Sequence, residues 1–184
     1  KQKTLKKRLT LKFDGGWKRL NHDFHIVLGF YSAIFLFIFA FTGLAWSFKW
    51  FNNAIYYVTN SPIKGPESPK SIYQPHQLTI SLSRADSLAK LHYRDADYFT
   101  IAMPKDSSEA ITIAGLTAYA PHENATDILY VDQYTGKEIG QLAYRDRSLG
   151  ARVRSTFKPI HTGSIFGVPS KIIAFIACFL GTTF

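Results

Sequence analysis

The sequence predicts an α-helical membrane protein with a small α+β extracytoplasmic domain inserted between two membrane helices. Three observations carry this: a chargeless apolar run over residues 26–48, a polar centre from about residue 60 to residue 150 patterned as strands and a helix, and a second apolar run over 172–184. As a helix rising about 1.5 Å per residue, the first run covers roughly 34 Å, enough for a hydrocarbon core of about 30 Å. A cleaved signal peptide is the alternative, but its apolar core would be only about 7–15 residues long and a small-residue cleavage site would follow. Here Trp46, Trp50, Tyr56 and Tyr57 follow instead, the aromatic belt of a membrane boundary.

The charge pattern gives the organisation. The chain has 184 residues and a formal net charge of +9. Lys1, Lys3, Lys6, Lys7, Arg8, Lys12, Lys18 and Arg19 precede the first apolar run against only Asp14 and Asp23, which places the N-terminus in the cytoplasm and the centre outside. The segments are then a basic cytoplasmic stretch (1–25), a membrane helix (26–48), a Pro-marked linker (49–70), the outer domain (71–150), an outer-face connector (151–168) and the start of a second membrane helix (169–184). The chain opens on Lys1 and stops inside the second apolar run, so the sequence reads as a fragment of a longer polytopic protein. A single cysteine, Cys178, precludes an intrachain disulfide. Five further basic residues, Arg145, Arg147, Arg152, Arg154 and Lys158, fall where this topology disfavours them. Either the outer domain crosses regardless of charge and they decorate its surface, or they meet an anionic partner such as lipid phosphate, an acidic ligand or a cofactor carboxylate, for which Arg154 is the candidate.

Within the centre, Ala85, Leu88, Ala89 and Leu91 recur at helical spacing, with Ser83 as the expected N-cap and Asp86 in the first turn. Residues 98–102, 110–114 and 128–132 are rich in β-branched and aromatic side chains and read as strands. Asp132-Gln133-Tyr134-Thr135-Gly136 supplies a Gly-bearing turn before a further strand at Glu138 and Ile139. Pro62, Pro66, Pro69 and Pro75 mark extended chain before the domain.

Two histidines, His22 and His25, sit about one helical turn apart at the start of the first membrane run. Below His25, Gly29, Ala33, Leu36, Ala40 and Gly43 form a narrow face of mostly small side chains. Small residues on a membrane helix serve helix–helix packing. With a histidine at one end they also leave room for a flat macrocycle, and a neutral imidazole is a common ligand for haem iron, which makes His25 and Gly29 candidate haem-binding residues. His22 can simply face water or headgroups. His161 repeats the pattern before the second helix, followed by Gly163 and Gly167, with Pro169 fit for the first turn of that helix. With His25 near the inner face and His161 near the outer, the two would serve separate metal centres.

His25-Ile26-Val27-Leu28-Gly29 with Thr42-Gly43, then Asp132-Gln133-Tyr134-Thr135-Gly136, then His161-Thr162-Gly163 and Gly167-Val168-Pro169, resemble in order and spacing the PepSY-associated transmembrane proteins over nearly the whole chain. The resemblance implies a bacterial inner-membrane protein linked to iron uptake, with a PepSY-like periplasmic domain. It further implies b-type haem ligated by His25 and His161 and electron transfer across the membrane to a ferric siderophore from an unidentified donor. His76, His92 and His122 lie in the outer domain as ordinary surface or structural residues. A different class stays open: a membrane-tethered sensor or peptidase-regulating module with no redox centre. There is no dinucleotide fingerprint, phosphate-binding Gly-rich loop, CxxC pair or Ser/His/Asp set, which disfavours a hydrolase or nicotinamide enzyme. Basic charge concentrated beside membrane segments favours lipid over nucleic acid.

Overall fold

The structure, a computed structural model, describes residues 16–183 together with Thr10 and Phe13. Lys1, Lys3, Lys6, Lys7, Arg8, Lys12 and Asp14, on which the cytoplasmic assignment of the N-terminus partly rests, lie outside the described residues. The chain forms two compact units, one of residues 1–49 and 157–184 and the other of residues 50–156.

The first unit is helical. Gly16–Ser47 forms one 32-residue helix, α1, so the helix begins well before the apolar run and takes in both His22 and His25. Among the described residues it is the one helix long and apolar enough to cross a membrane. Val168–Thr183 forms a shorter apolar helix that packs against α1. Small residues make that packing close: Ser32 and Ala177 are buried, and a β-carbon on Gly181 would lie 2.6 Å from Leu36 Cδ1. The Ser32 hydroxyl donates to its own helix's Leu28 carbonyl at 2.7 Å, so its burial leaves no polar atom unmatched. Phe37, Phe175 and Phe179 stay exposed, as lipid-facing side chains would.

The second unit is built on a four-stranded antiparallel meander, β1 (Ala96–Ala102), β2 (Ile111–Thr117), β3 (Asp127–Val131) and β4 (Glu138–Leu142), in the order β1-β2-β3-β4. Ile111 pairs with Val131 and Ile113 with Leu129, so the strand alternation sends these four side chains to one face. There they meet Ala85, Ala89 and Tyr93 at one side of the helix Leu82–His92, with Leu88, Phe99, Ile101 and Met103 around them. Ser81 rather than Ser83 caps this helix, its hydroxyl accepting from the Arg84 N–H at 3.3 Å. The Ile80 N–H donates to the Gln133 carbonyl at 2.8 Å and pins the residue just before the cap, which decides between two serines that pattern alone leaves equivalent. The stretch from residue 49, expected as extended linker, opens as the helix Lys49–Val58; the prolines begin only at Pro62, and nothing before them breaks a helix.

Among the described residues the α-helices in chain order are α1, α2 (Lys49–Val58), α3 (Leu82–His92), α4 (Leu149–His161) and α5 (Val168–Thr183). The segment expected as a connector from residue 151 is therefore mostly helix, with Pro159 inside its last turn. Proline removes the N–H that the Ser155 carbonyl would have accepted, and that carbonyl accepts from Asn124 Nδ2 at 3.3 Å instead.

Candidate functional site

The helical unit brings one of the predicted ligands into a defined setting. His161 is the last residue of α4, and Gly163, with φ of 72°, turns the chain toward α5. A β-carbon at Gly163 would collide with Ala174 and approach the Ser170 carbonyl to 3.1 Å, so a side chain is excluded there on two grounds. The imidazole of His161 lies on the C-terminal third of α1. Its Nδ1 is 2.8 Å from the Phe39 carbonyl oxygen and 3.3 Å from Thr42 Oγ1. A carbonyl oxygen can only accept, so Nδ1 carries the proton and, in the neutral ring, Nε2 carries the lone pair. The ring sits 5.5 Å from the Trp46 ring and 6.4 Å from the Phe39 ring, between centroids. Together with Ala40, Gly43, Leu44, Ser47 and Lys158 these residues line a groove of about 620 Å³. Its walls are mainly apolar and carry one imidazole nitrogen able to bind a metal and one ammonium able to pair with a carboxylate. That combination fits one face of a haem.

The other expected site residues lie apart from it. His25 is exposed on α1, and the 14 residues from it to Phe39 amount to about 21 Å of helix, so His25 and His161 do not meet. Gly29, one turn on from His25, has open space where a β-carbon would stand. The small-residue face below it is divided: Leu36 contacts α5 through Gly181, and Gly43 contacts His161. His22 is exposed, 3.8 Å from the carboxylate of its neighbour Asp23. Arg154 belongs to the other unit, where its Nε donates to Asn52 Oδ1 at 2.8 Å and burial holds its pKa below the ordinary arginine value, against an opposing contribution from Tyr56. Among the described residues no three His, Cys, Asp or Glu side chains gather to hold a metal ion.

In the sheet-bearing unit, His122 is buried beside Tyr144 and Ser155, a trio that the sequence pattern did not single out because 22 and 33 residues separate the partners. Its Nδ1 accepts the Asn124 N–H at 3.2 Å. The proton of the neutral ring is therefore on Nε2, which points at Tyr144 Oη 3.1 Å away. Burial pushes the His122 pKa down, with nearby Glu123 opposing. A general base for Ser155 would need Nε2 as acceptor, and the Ser155 hydroxyl is already given to the Arg152 carbonyl at 2.6 Å. The trio ties the loop at residue 122 to α4 and is no nucleophile.

Gln133, inside the Asp132–Gly136 turn, holds this unit together in another way. Its buried amide donates to the carbonyls of Asp106 and Glu109 at 3.0 and 2.8 Å and accepts from Thr79 Oγ1 at 3.3 Å, while its backbone N–H donates to Ser71 Oγ at 3.0 Å. The motif that distinguishes the turn thus anchors three separate segments.

A long apolar helix paired with a second one, and a four-stranded antiparallel meander with a helix across one face, define a membrane protein carrying a small α+β domain. The family model described as the PepSY-associated TM region matches residues 1–184, and the chain belongs to that family. No curated protein matches it.

Proposed function

We propose that this protein carries electrons across the bacterial inner membrane through b-type haem and delivers them to ferric siderophores at the outer face, with its N-terminus cytoplasmic and its sheet-bearing domain periplasmic. The observation that supports this is the His161 imidazole, whose Nδ1 is committed to the Phe39 carbonyl and whose Nε2 is left with a lone pair beside an apolar groove. A haem bound there would supply a one-electron couple. The protein's own contribution is to aim Nε2, to cover the groove with Trp46 and Phe39, and to offer Lys158 to an acid group. His25, about 21 Å back along α1, is proposed as the ligand of a second centre, and a partner imidazole for each would come from beyond these residues. Transfer of one electron converts siderophore-bound Fe(III) to Fe(II), which hard oxygen donors hold less tightly, so iron is released.

The test is a reduced-minus-oxidised absorption spectrum of the full-length protein in detergent. The expected result is a b-type haem signal that falls by one haem in His161→Ala, by one in His25→Ala and disappears in the double variant. A colourless wild-type protein overturns the proposal and leaves a tethered sensor or peptidase-regulating module as the reading. Equal spectra in wild type and His161→Ala overturn the ligand assignment alone.

A further inference from the structure

We infer that Thr42 and Gly43 are positioning residues for His161, fixing its ring as the Nδ1–H tautomer with Nε2 as the nitrogen presented to the groove. The inference rests on the proposed ligation by His161 only for its redox consequence; the tautomer is a property of the protein itself. Thr42 is 4% exposed. Its hydroxyl hydrogen is directed to the carbonyls one turn back, Ile38 at 2.9 Å and Phe39 at 3.0 Å, which leaves the oxygen's lone pairs for the imidazole at 3.3 Å. The Nδ1 proton therefore sees two acceptors, the Phe39 carbonyl and Thr42 Oγ1. The opposite tautomer would set the Nδ1 lone pair against a carbonyl lone pair 2.8 Å away, a contact with no hydrogen between two acceptors. Gly43 provides the approach: a β-carbon there would lie 3.3 Å from His161 Cε1, so the ring would have to give by a few tenths of an ångström and its bonds to the acceptors would lengthen. Gly29 is under no such constraint, since nothing lies within 4 Å of its missing β-carbon. A backbone carbonyl bonded to the far nitrogen fixes ring orientation and raises the basicity of the ligating one, which stabilises the oxidised metal and lowers its potential.

The experiment is nitrogen-15 NMR of histidine-labelled full-length protein in detergent micelles, free of haem and at about pH 8, where an ordinary imidazole is neutral, with His161 assigned by its loss in His161→Gln. Wild type and Thr42→Ser should show Nδ1 protonated and Nε2 bare, whereas Thr42→Val and Gly43→Ala should shift the Nδ1 resonance as its hydrogen bonding weakens, Thr42→Val keeping the proton on Nδ1 through the Phe39 carbonyl. A wild-type ring protonated on Nε2, or Thr42→Val and Gly43→Ala spectra identical to wild type, overturns the inference. If Thr42→Val does not fold, Gly43→Ala decides. In haem-loaded protein Thr42→Val should raise the reduction potential and Thr42→Ser should restore it. An intact tautomer in a protein that never takes up haem rejects the redox reading while upholding the positioning role.

Discussion

A carboxylate that collects several short hydrogen bonds reports its contribution through pH, and Asp132 is such a group. Its Oδ1 accepts from the Thr135 N–H at 2.7 Å, the Thr135 hydroxyl at 2.9 Å and the Tyr134 N–H at 3.0 Å. Burial alone would raise its pKa, but the Thr135 and Tyr134 donors outweigh it and the pKa is lowered. With the folded value below the unfolded value of about 3.9, the stabilisation is complete above about pH 5 and is lost as pH falls through the folded pKa. The urea midpoint of the sheet domain, followed by circular dichroism, should therefore drop on acidification below about pH 5, and the drop should be shallower in Asp132→Asn. His122 acts at higher pH with the same direction. Its folded pKa lies below the ordinary histidine value of about 6.5, so the unfolded chain takes up the proton first and stability declines as pH falls from that value. His122→Asn should remove this decline between about pH 7 and 5. At this scale the sequence was legible where a residue's partners are local, as in the Asp132–Gly136 turn, whose carboxylate, hydroxyl and glycine lie within five positions. The settings of His161 and His122 were not, because each depends on a contact fixed only when helices and loops pack: 122 residues separate His161 from Phe39.

Elements in this protein are decided by a few buried side chains. Ile111 and Ile113 are fully buried on the β2 face that meets α3. Gly115, the next residue on that face, is required because a β-carbon there would lie 2.5 Å from the Tyr93 ring. The Tyr93 hydroxyl passes across the sheet to donate to the Asp127 carbonyl at 2.9 Å, and burial, with Asp127 nearby, raises its pKa to about 12, so it stays protonated at physiological pH. Ile113→Ala should lower the stability of this domain by about 2–5 kcal/mol, read from urea unfolding, since a buried aliphatic is replaced by a cavity. Gly115→Val should also destabilise it by driving Tyr93 off the sheet, which near-ultraviolet circular dichroism would register as a lost tyrosine signal. The strands and α3 were legible because their alternation and spacing are those of half-buried elements. Element ends were less so: β1 begins two residues before its aromatic run. α2 was hidden because its aromatic positions, such as Trp50 and Tyr56, double as the aromatic boundary of the membrane helix.

At the scale of the whole molecule, the sheet-bearing unit extends beyond the 71–150 domain that pattern suggests, to residues 50–156. The added chain is bonded into the unit. Lys70 bridges to Glu109 in β fashion, a β-carbon at Gly140 would lie 2.7 Å from Pro69, and the Gly150 N–H donates to Ser61 Oγ at 2.9 Å. Gly150 also packs so closely on α2 that a β-carbon would come within 2.8 Å of Tyr56 Cδ1. At the other end, Ser155 and Asn124 tie α4 to the loop at residue 122. A domain of roughly 80 residues buries a smaller fraction of its surface on folding than a larger one does and is correspondingly marginal, so losing these anchors weighs heavily. A soluble fragment of residues 50–156 should therefore unfold cooperatively in urea without detergent, and a 71–150 fragment should have a lower midpoint, because it lacks Ser61, Pro69 and Lys70 and ends before Asn124 can reach Ser155. Equal midpoints would mean that the meander and α3 are self-sufficient and that α2 and the start of α4 contribute nothing to them. Adding Gly150→Leu to the longer fragment separates the two ideas: if the anchors matter, crowding Tyr56 and Thr59 should bring its midpoint down toward that of the 71–150 piece.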